Sequence, residues 1–170
     1  MPPSDDTIRI VGQQWTWTFQ HSGTDGVLDT SDDVWTSDTL HVAEGKTYHF
    51  LLESKDVVHS FFVPVFRLKQ DAIPGRTITG WFKATHTGSY DILCAEICGI
   101  GHGIMGARID IESAEQHAAF DHLRANVFEA DAGLGQFQPV RGAHLVHHRG
   151  GGEGFDDTPP ALPIDDEMVE

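Results

Sequence analysis

Between residues 5 and 115 the chain breaks into short runs in which apolar and polar residues alternate, with turn-forming residues between them. TIRIV (7–11), QQWTWTF (13–19), DTLHV (38–42), TYHFLLE (47–53), VVHSFFV (57–63), TITGWF (77–82), SYDILC (89–94) and ARIDIE (107–112) carry the period of half-buried strands. SGTDG, EGK, IPGR and HTGS separate several of them. Strands this short and this closely spaced leave no room for crossover helices, so the pattern predicts an all-β sandwich or Greek-key barrel. In QQWTWTF a single unbroken strand would place Trp15, Trp17 and Phe19 on one side.

The alternation stops at Ser113. Ser113-Ala114-Glu115-Gln116 has the form of a capping box, and Phe120, Leu123 and Val127 follow at helical spacing, which predicts one short helix over about 113–127. The expected organisation is a β domain over 5–115, a C-terminal helix and connection over 116–132, and a tail over 133–170. That tail is rich in Gly, Pro and acids, has no periodicity, and reads as extended or disordered.

No stretch reaches the ~20 apolar residues of a membrane helix. VVHSFFVPVF, the most apolar, is interrupted by His59 and Pro64, and MPPSDDTIRI has no signal-peptide core. Asp and Glu number 26 against 11 Lys and Arg, a net charge of −15. This balance excludes nucleic acid as a natural partner and favours a basic protein, although acidic surfaces also serve solubility. The acids gather between Ile10 and Gly45, where Asp25, Asp29, Asp32, Asp33, Asp38 and Glu44 stand without a Lys or Arg. Within that stretch TDGVLDTSDD resembles a calcium loop but misses the EF-hand spacing.

Both cysteines of the chain lie in CAEICGIGHGIM, where His102 and Met105 follow Cys94 and Cys98. A disulfide would close so short a loop that it restricts the unfolded chain little, and it gives His102 and Met105 no role. Zinc would leave the thioether idle. Thiolate, imidazole and thioether together suit copper. A mononuclear blue-copper site uses one cysteine and leaves the other over, whereas two thiolates can bridge two copper ions if a second imidazole arrives from elsewhere. Among 11 histidines, His59 is the natural candidate, on a strand face with Phe61 and Val63. His144, His147 and His148 cluster in the tail, where they read as incidental.

VVHSFFVPVFRLKQDAIPGR, followed by GSYDILCAEICGIGHGIMGARI, resembles the copper domain of cytochrome c oxidase subunit II over about residues 7–115. The resemblance implies a cupredoxin-like fold holding the binuclear CuA centre. Its two copper ions would be bridged by Cys94 and Cys98 and bound by His59, His102, the Met105 thioether and the Glu96 carbonyl. It also implies that the Glu96 side chain reaches a magnesium ion shared with subunit I. Nitrous oxide reductase carries a similar loop but typically an aromatic at the position of Glu96, and quinol oxidases lack the thiolates. By the same resemblance electrons from cytochrome c arrive at Trp15, with Gln14 and Asp71 at docking positions, and leave for the haem of subunit I on the extracytoplasmic side of a respiratory membrane. Family members normally carry two membrane helices before this domain, and the sequence shows neither, as in a truncated chain or a split subunit. A soluble cupredoxin carrier, a copper-delivery protein and the CuA subunit of a nitric oxide reductase are the alternative functions.

Overall fold

A computed structural model describes residues 1–121. Its ten strands are β1 (Asp6–Gln13), β2 (Thr16–His21), β3 (Val34–Ser37), β4 (Thr39–Ala43), β5 (Thr47–Ser54), β6 (His59–Val63), β7 (Leu68–Ala72), β8 (Ile78–Lys83), β9 (Gly88–Cys94) and β10 (Gly106–Glu112). They form two five-stranded sheets, ordered β3-β2-β1-β5-β8 and β4-β10-β9-β6-β7. Neighbouring strands are antiparallel except β1 with β5 and β4 with β10. The chain changes sheet repeatedly, so successive segments close a sandwich instead of forming a meander. This is the all-β architecture that the alternation predicts.

The alternation also locates the core. Ile8 and Ile10, Trp17 and Phe19, Tyr48, Phe50 and Leu52, Phe61 and Val63, and Ile109 and Ile111 are all buried between the sheets. Removing each such side chain from water contributes about 1.5–3 kcal/mol. Trp17 meets Phe61 edge-on at 5.4 Å and His59 at 5.9 Å, linking the aromatic core to the end of the sandwich where β9 runs into β10.

The run 13–19 is not one strand. β1 and β2 pair Gln13 with Thr16, so Gln14 and Trp15 form the turn of a hairpin. Trp17 and Phe19 point into the core, while the half-buried Trp15 packs against its edge. The period of two gave all three rings one side only by assuming an unbroken strand. β3 and β7 also escape the alternation rule: β3 is only four residues long, and β7 carries Lys69, Gln70 and Asp71 in succession.

The capping box forms as expected. The Gln116 amide donates to Ser113 Oγ at 3.3 Å, and the Ser113 amide to Gln116 Oε1 at 3.0 Å. Residues 114–121 are helical. Phe120 is buried against His41, with ring centroids 4.5 Å apart, and His41 and His117 each place Nδ1 2.8 Å from the Glu112 carboxylate. The rest of the expected helix, the tail over 133–170, and His144, His147 and His148 lie outside the described residues.

Candidate metal centre

Cys94 is the last residue of β9, and Met105 immediately precedes β10. The Cys94 amide donates to the Met105 carbonyl at 3.1 Å and closes the loop between them at its root. Inside the loop, His102 N–H donates to Gly99 O and Ile104 N–H to Gly101 O, each at 3.1 Å, around one 3-10 turn over His102–Ile104. Gly99 has φ +123°, a conformation that disfavours any side chain. His59 opens β6, which pairs with β9 through Phe61 and Cys94, so its ring arrives beside the loop fully buried.

The structure brings the donor atoms of these residues together. Both cysteines are free, with sulfurs 3.7 Å apart. His59 Nδ1 stands 3.9 Å from Cys94 Sγ, and His102 Nδ1 stands 3.7 Å from Cys98 Sγ. Met105 Sδ is 3.7 Å from Cys98 Sγ, and the Glu96 carbonyl oxygen is 3.3 Å from Cys94 Sγ. Metal–thiolate and metal–imidazole bonds of about 2.3 and 2.0 Å, opened to a near-tetrahedral angle, put donors roughly 3.5–3.8 Å apart. The arrangement therefore fits a copper site, with the ligating atoms of His59, Cys94 and Cys98 all within 4.8 Å of one another. His102 lies outside that group, on the Cys98 side.

Asp56, which sequence reasoning missed, orients His59. Its Oδ1 is 2.8 Å from His59 Nε2, while its carboxylate also accepts the amides of Gln14 and Val57, each at 2.7 Å. A proton on Nε2 leaves the Nδ1 lone pair facing Cys94. Burial alone would raise the Asp56 carboxyl, but the Gln14 amide, the His59 ring and the Val57 amide together hold it below the usual range. The only signal in the sequence is an acid three residues before His59. Gly12 was also missed: a Cβ there would lie 3.0 Å from His59 Cδ2 and 3.0 Å from Trp17. Burial, then the neighbouring Cys94, push the Cys98 thiol up to about 11. A metal must therefore displace its proton.

The remaining predicted residues surround this centre. Gln14 Nε2 donates to the Cys98 carbonyl at 2.8 Å and Trp15 Nε1 to the same oxygen at 3.3 Å. Asp71 is half-buried on β7, opposite Ser60 and next to the partner of His59. Glu96 is exposed, and Ile97, Ile100 and Ile104 stand out from the loop 78, 95 and 85% exposed. The acidic segment lies elsewhere. β2 runs away from the Trp15 turn, and the loop 22–33 hangs from His21, about 17 Å off by strand rise. Its carboxylates serve the loop itself: Asp32 accepts from Thr24 N and Thr30 Oγ1, Asp33 from Asp29 N, and Asp29 pairs with Arg9. Of that segment only Asp38, bonded to Thr16 at 3.0 Å, lies at the metal end.

A β-sandwich with a soft donor set at one end that fits copper defines a domain of the cupredoxin-like class. The chain belongs to the family of the periplasmic domain of cytochrome c oxidase subunit II, whose model matches residues 6–113. It is 37% identical over 141 residues to the alternative cytochrome c oxidase subunit 2 of Bradyrhizobium diazoefficiens, covering 69% of this chain and 51% of that protein. It is 40% identical over 111 residues to cytochrome c oxidase subunit 2 of Thermostichus vulcanus, covering 65% and 31%. The chain thus spans about half or less of these relatives. The solved periplasmic domain of subunit II (CoxB) of Bradyrhizobium japonicum superposes with a TM-score of 0.65 at 27% identity, over 75% of this chain and 98% of that one. A subunit II periplasmic domain solved as a mixed disulfide intermediate with a thioredoxin-like protein gives 0.63 at 28% identity, over 76% and 98%.

Proposed function

We propose that this domain receives single electrons from cytochrome c and hands them to the haem of subunit I in a haem-copper oxidase, on the extracytoplasmic side of the membrane. The carrying observation is a pair of free cysteine sulfurs 3.7 Å apart with an imidazole behind each, which supports two metal positions sharing two sulfurs. Cys94 and Cys98 would bridge two copper ions, with His59, His102, Met105 and the Glu96 carbonyl completing the ligand set. When bound, the copper pair supplies a one-electron redox centre. The protein's part is to keep the donors still: β6 and β9 fix His59 and Cys94, the closed loop fixes Cys98, His102 and Met105, and Asp56 sets the tautomer of His59. All ligands come from protein, which suits electron transfer without a bound substrate.

Trp15 is the proposed point of arrival, its indole bonded to the backbone of one bridging residue, and Asp71 contributes to the docking of a basic donor. The exposed Glu96 carboxylate is placed to meet a magnesium ion shared with subunit I. Because the two sulfurs are close, oxidation would join them and block the metal. By analogy with the solved mixed disulfide, a thioredoxin-like reductant would precede loading.

Metal analysis with electron paramagnetic resonance tests the reading. Two coppers per chain with a mixed-valence spectrum are expected, and Cys98→Ser should leave at most one. One copper with a four-line spectrum in the wild type refutes it. Co-purification with a haem-containing membrane subunit that reduces oxygen separates the oxidase from a free carrier or a nitric oxide reductase.

A further inference from the structure

The loop that carries Cys98 is held at its root by sheet contacts. Cys94 N–H bonds Met105 O, and Ala95 N–H bonds Ser60 O at 2.9 Å. Its middle meets the opposite sheet through the turn Gln14–Trp15. Both donors of that turn, the Gln14 side-chain amide and the Trp15 indole, converge on one acceptor, the Cys98 carbonyl. That carbonyl carbon is bonded to the Cα that bears the Cys98 side chain, so holding it fixes the Cα–Cβ bond from which Sγ hangs.

The local chemistry is built for this contact. Gln14 is itself pinned, because its backbone amide donates to Asp56, the residue that orients His59. Gly99 lies against the amide head: a Cβ there would come within 3.0 Å of Gln14 Nε2 and 3.2 Å of Trp15 Nε1. Gly101 lies flat under the indole, with no space for a Cβ. The turn therefore touches both sides of the donor cluster, Cys98 through side chains and His59 through Asp56. Gln14 is exposed, yet its Nε2 donates to the loop at 2.8 Å, a contact that a glutamine serving only an incoming protein would not need.

We infer that Gln14 is a positioning residue of the metal loop, its side-chain amide and the Trp15 indole together fixing the Cys98 carbonyl, and is not principally a contact for the electron donor. The inference rests on the copper-site reading for its consequence but not for its geometry, and the test keeps the two apart. In the metal-free full chain, amide hydrogen exchange is followed at His102, Ile104 and Met105, whose amides bond within the loop. Gln14→Met keeps the bulk and removes the donor, Gln14→Glu replaces it with an anion, and Trp15→Phe removes the second donor while keeping a ring. Each should speed exchange at these amides roughly two- to tenfold, the worth of one neutral hydrogen bond. Gln14→Met combined with Trp15→Phe should be non-additive, because they share an acceptor.

In the copper-loaded chain the same substitutions should move the contact-shifted β-proton resonances of Cys98 more than those of Cys94. Unchanged exchange in both Gln14 variants, with a slowed reaction with cytochrome c, would overturn the inference and return Gln14 to docking. Equal movement of the Cys94 and Cys98 resonances would also overturn it. If the wild-type chain took up no copper, the copper reading would fall while the exchange result still decided the role of Gln14.

Discussion

Gly101→Ala isolates the contact between Trp15 and the metal loop. At φ −92° and ψ 10° the backbone accepts alanine, so the effect comes from space alone. The added Cβ would lie 2.5 Å from Trp15 Cγ and 2.7 Å from Cε3, where carbon atoms prefer about 3.5–4.0 Å. The indole must retreat by roughly 1 Å, which carries its Nε1 beyond hydrogen-bond reach of the Cys98 carbonyl, now 3.3 Å away. Overpacking costs about 1–3 kcal/mol, and because the clash is with the root of the indole the whole half-buried ring must shift. None of the proposed ligands is altered. The copper-loaded variant should keep two coppers, melt a few degrees lower, and accept electrons from cytochrome c several-fold more slowly in stopped-flow mixing. Gly103→Ala is the control, since a Cβ there meets nothing within 4 Å. A wild-type rate in Gly101→Ala, or an equal loss in Gly103→Ala, would refute the Trp15 contact as the route.

Asp56→Ala should leave buried His59 Nε2 without its acceptor and its tautomer unset, lowering stability by about 1–3 kcal/mol and copper affinity roughly 10–100-fold, read by urea unfolding and metal titration. The Cys98 thiol is raised from 9.0 to about 11 in the folded chain, so it favours folding below about pH 9 and that contribution is lost as pH climbs towards 11. Metal-free protein should therefore unfold at lower urea at pH 11 than at pH 8, and Cys98→Ser should remove this part of the slope. Copper uptake, which expels the proton, should tighten as pH rises over the same range. Association with a basic cytochrome c should slow with salt, but Asp32→Asn and Asp33→Asn should scarcely change it. They sit well beyond a Debye length of about 8 Å from the metal end, whereas Asp71→Asn should slow association at low salt. Stopped-flow rates across ionic strength distinguish the two groups.

Much of this molecule is readable from spacing, and what is not has a common cause. The core strands reveal themselves because one face of each is buried, and the metal loop does so because four donor residues fall within one short stretch. β3 and β7 do not, since β3 is only four residues long and β7 carries Lys69, Gln70 and Asp71 in succession. Trp15 and Trp17 are indistinguishable by period, and only the pairing of Gln13 with Thr16 sends one into the turn and the other into the core. Asp56 is one acid among 26, and its role depends on where β6 begins. Which end the acidic loop occupies is not legible either, because strand direction, and not composition, decides which pole a loop occupies.

The bond from the Cys94 amide to the Met105 carbonyl has an evolutionary consequence. It sits at the foot of the β9–β10 hairpin, beside the pairing of Leu93 with Gly106, so the ladder below is complete before the loop begins. Exchanges at the exposed Ile97, Ile100 and Ile104 leave the strand pairing and the donor residues untouched. The three isoleucines at the rim of the centre can therefore vary while the sandwich stays unchanged.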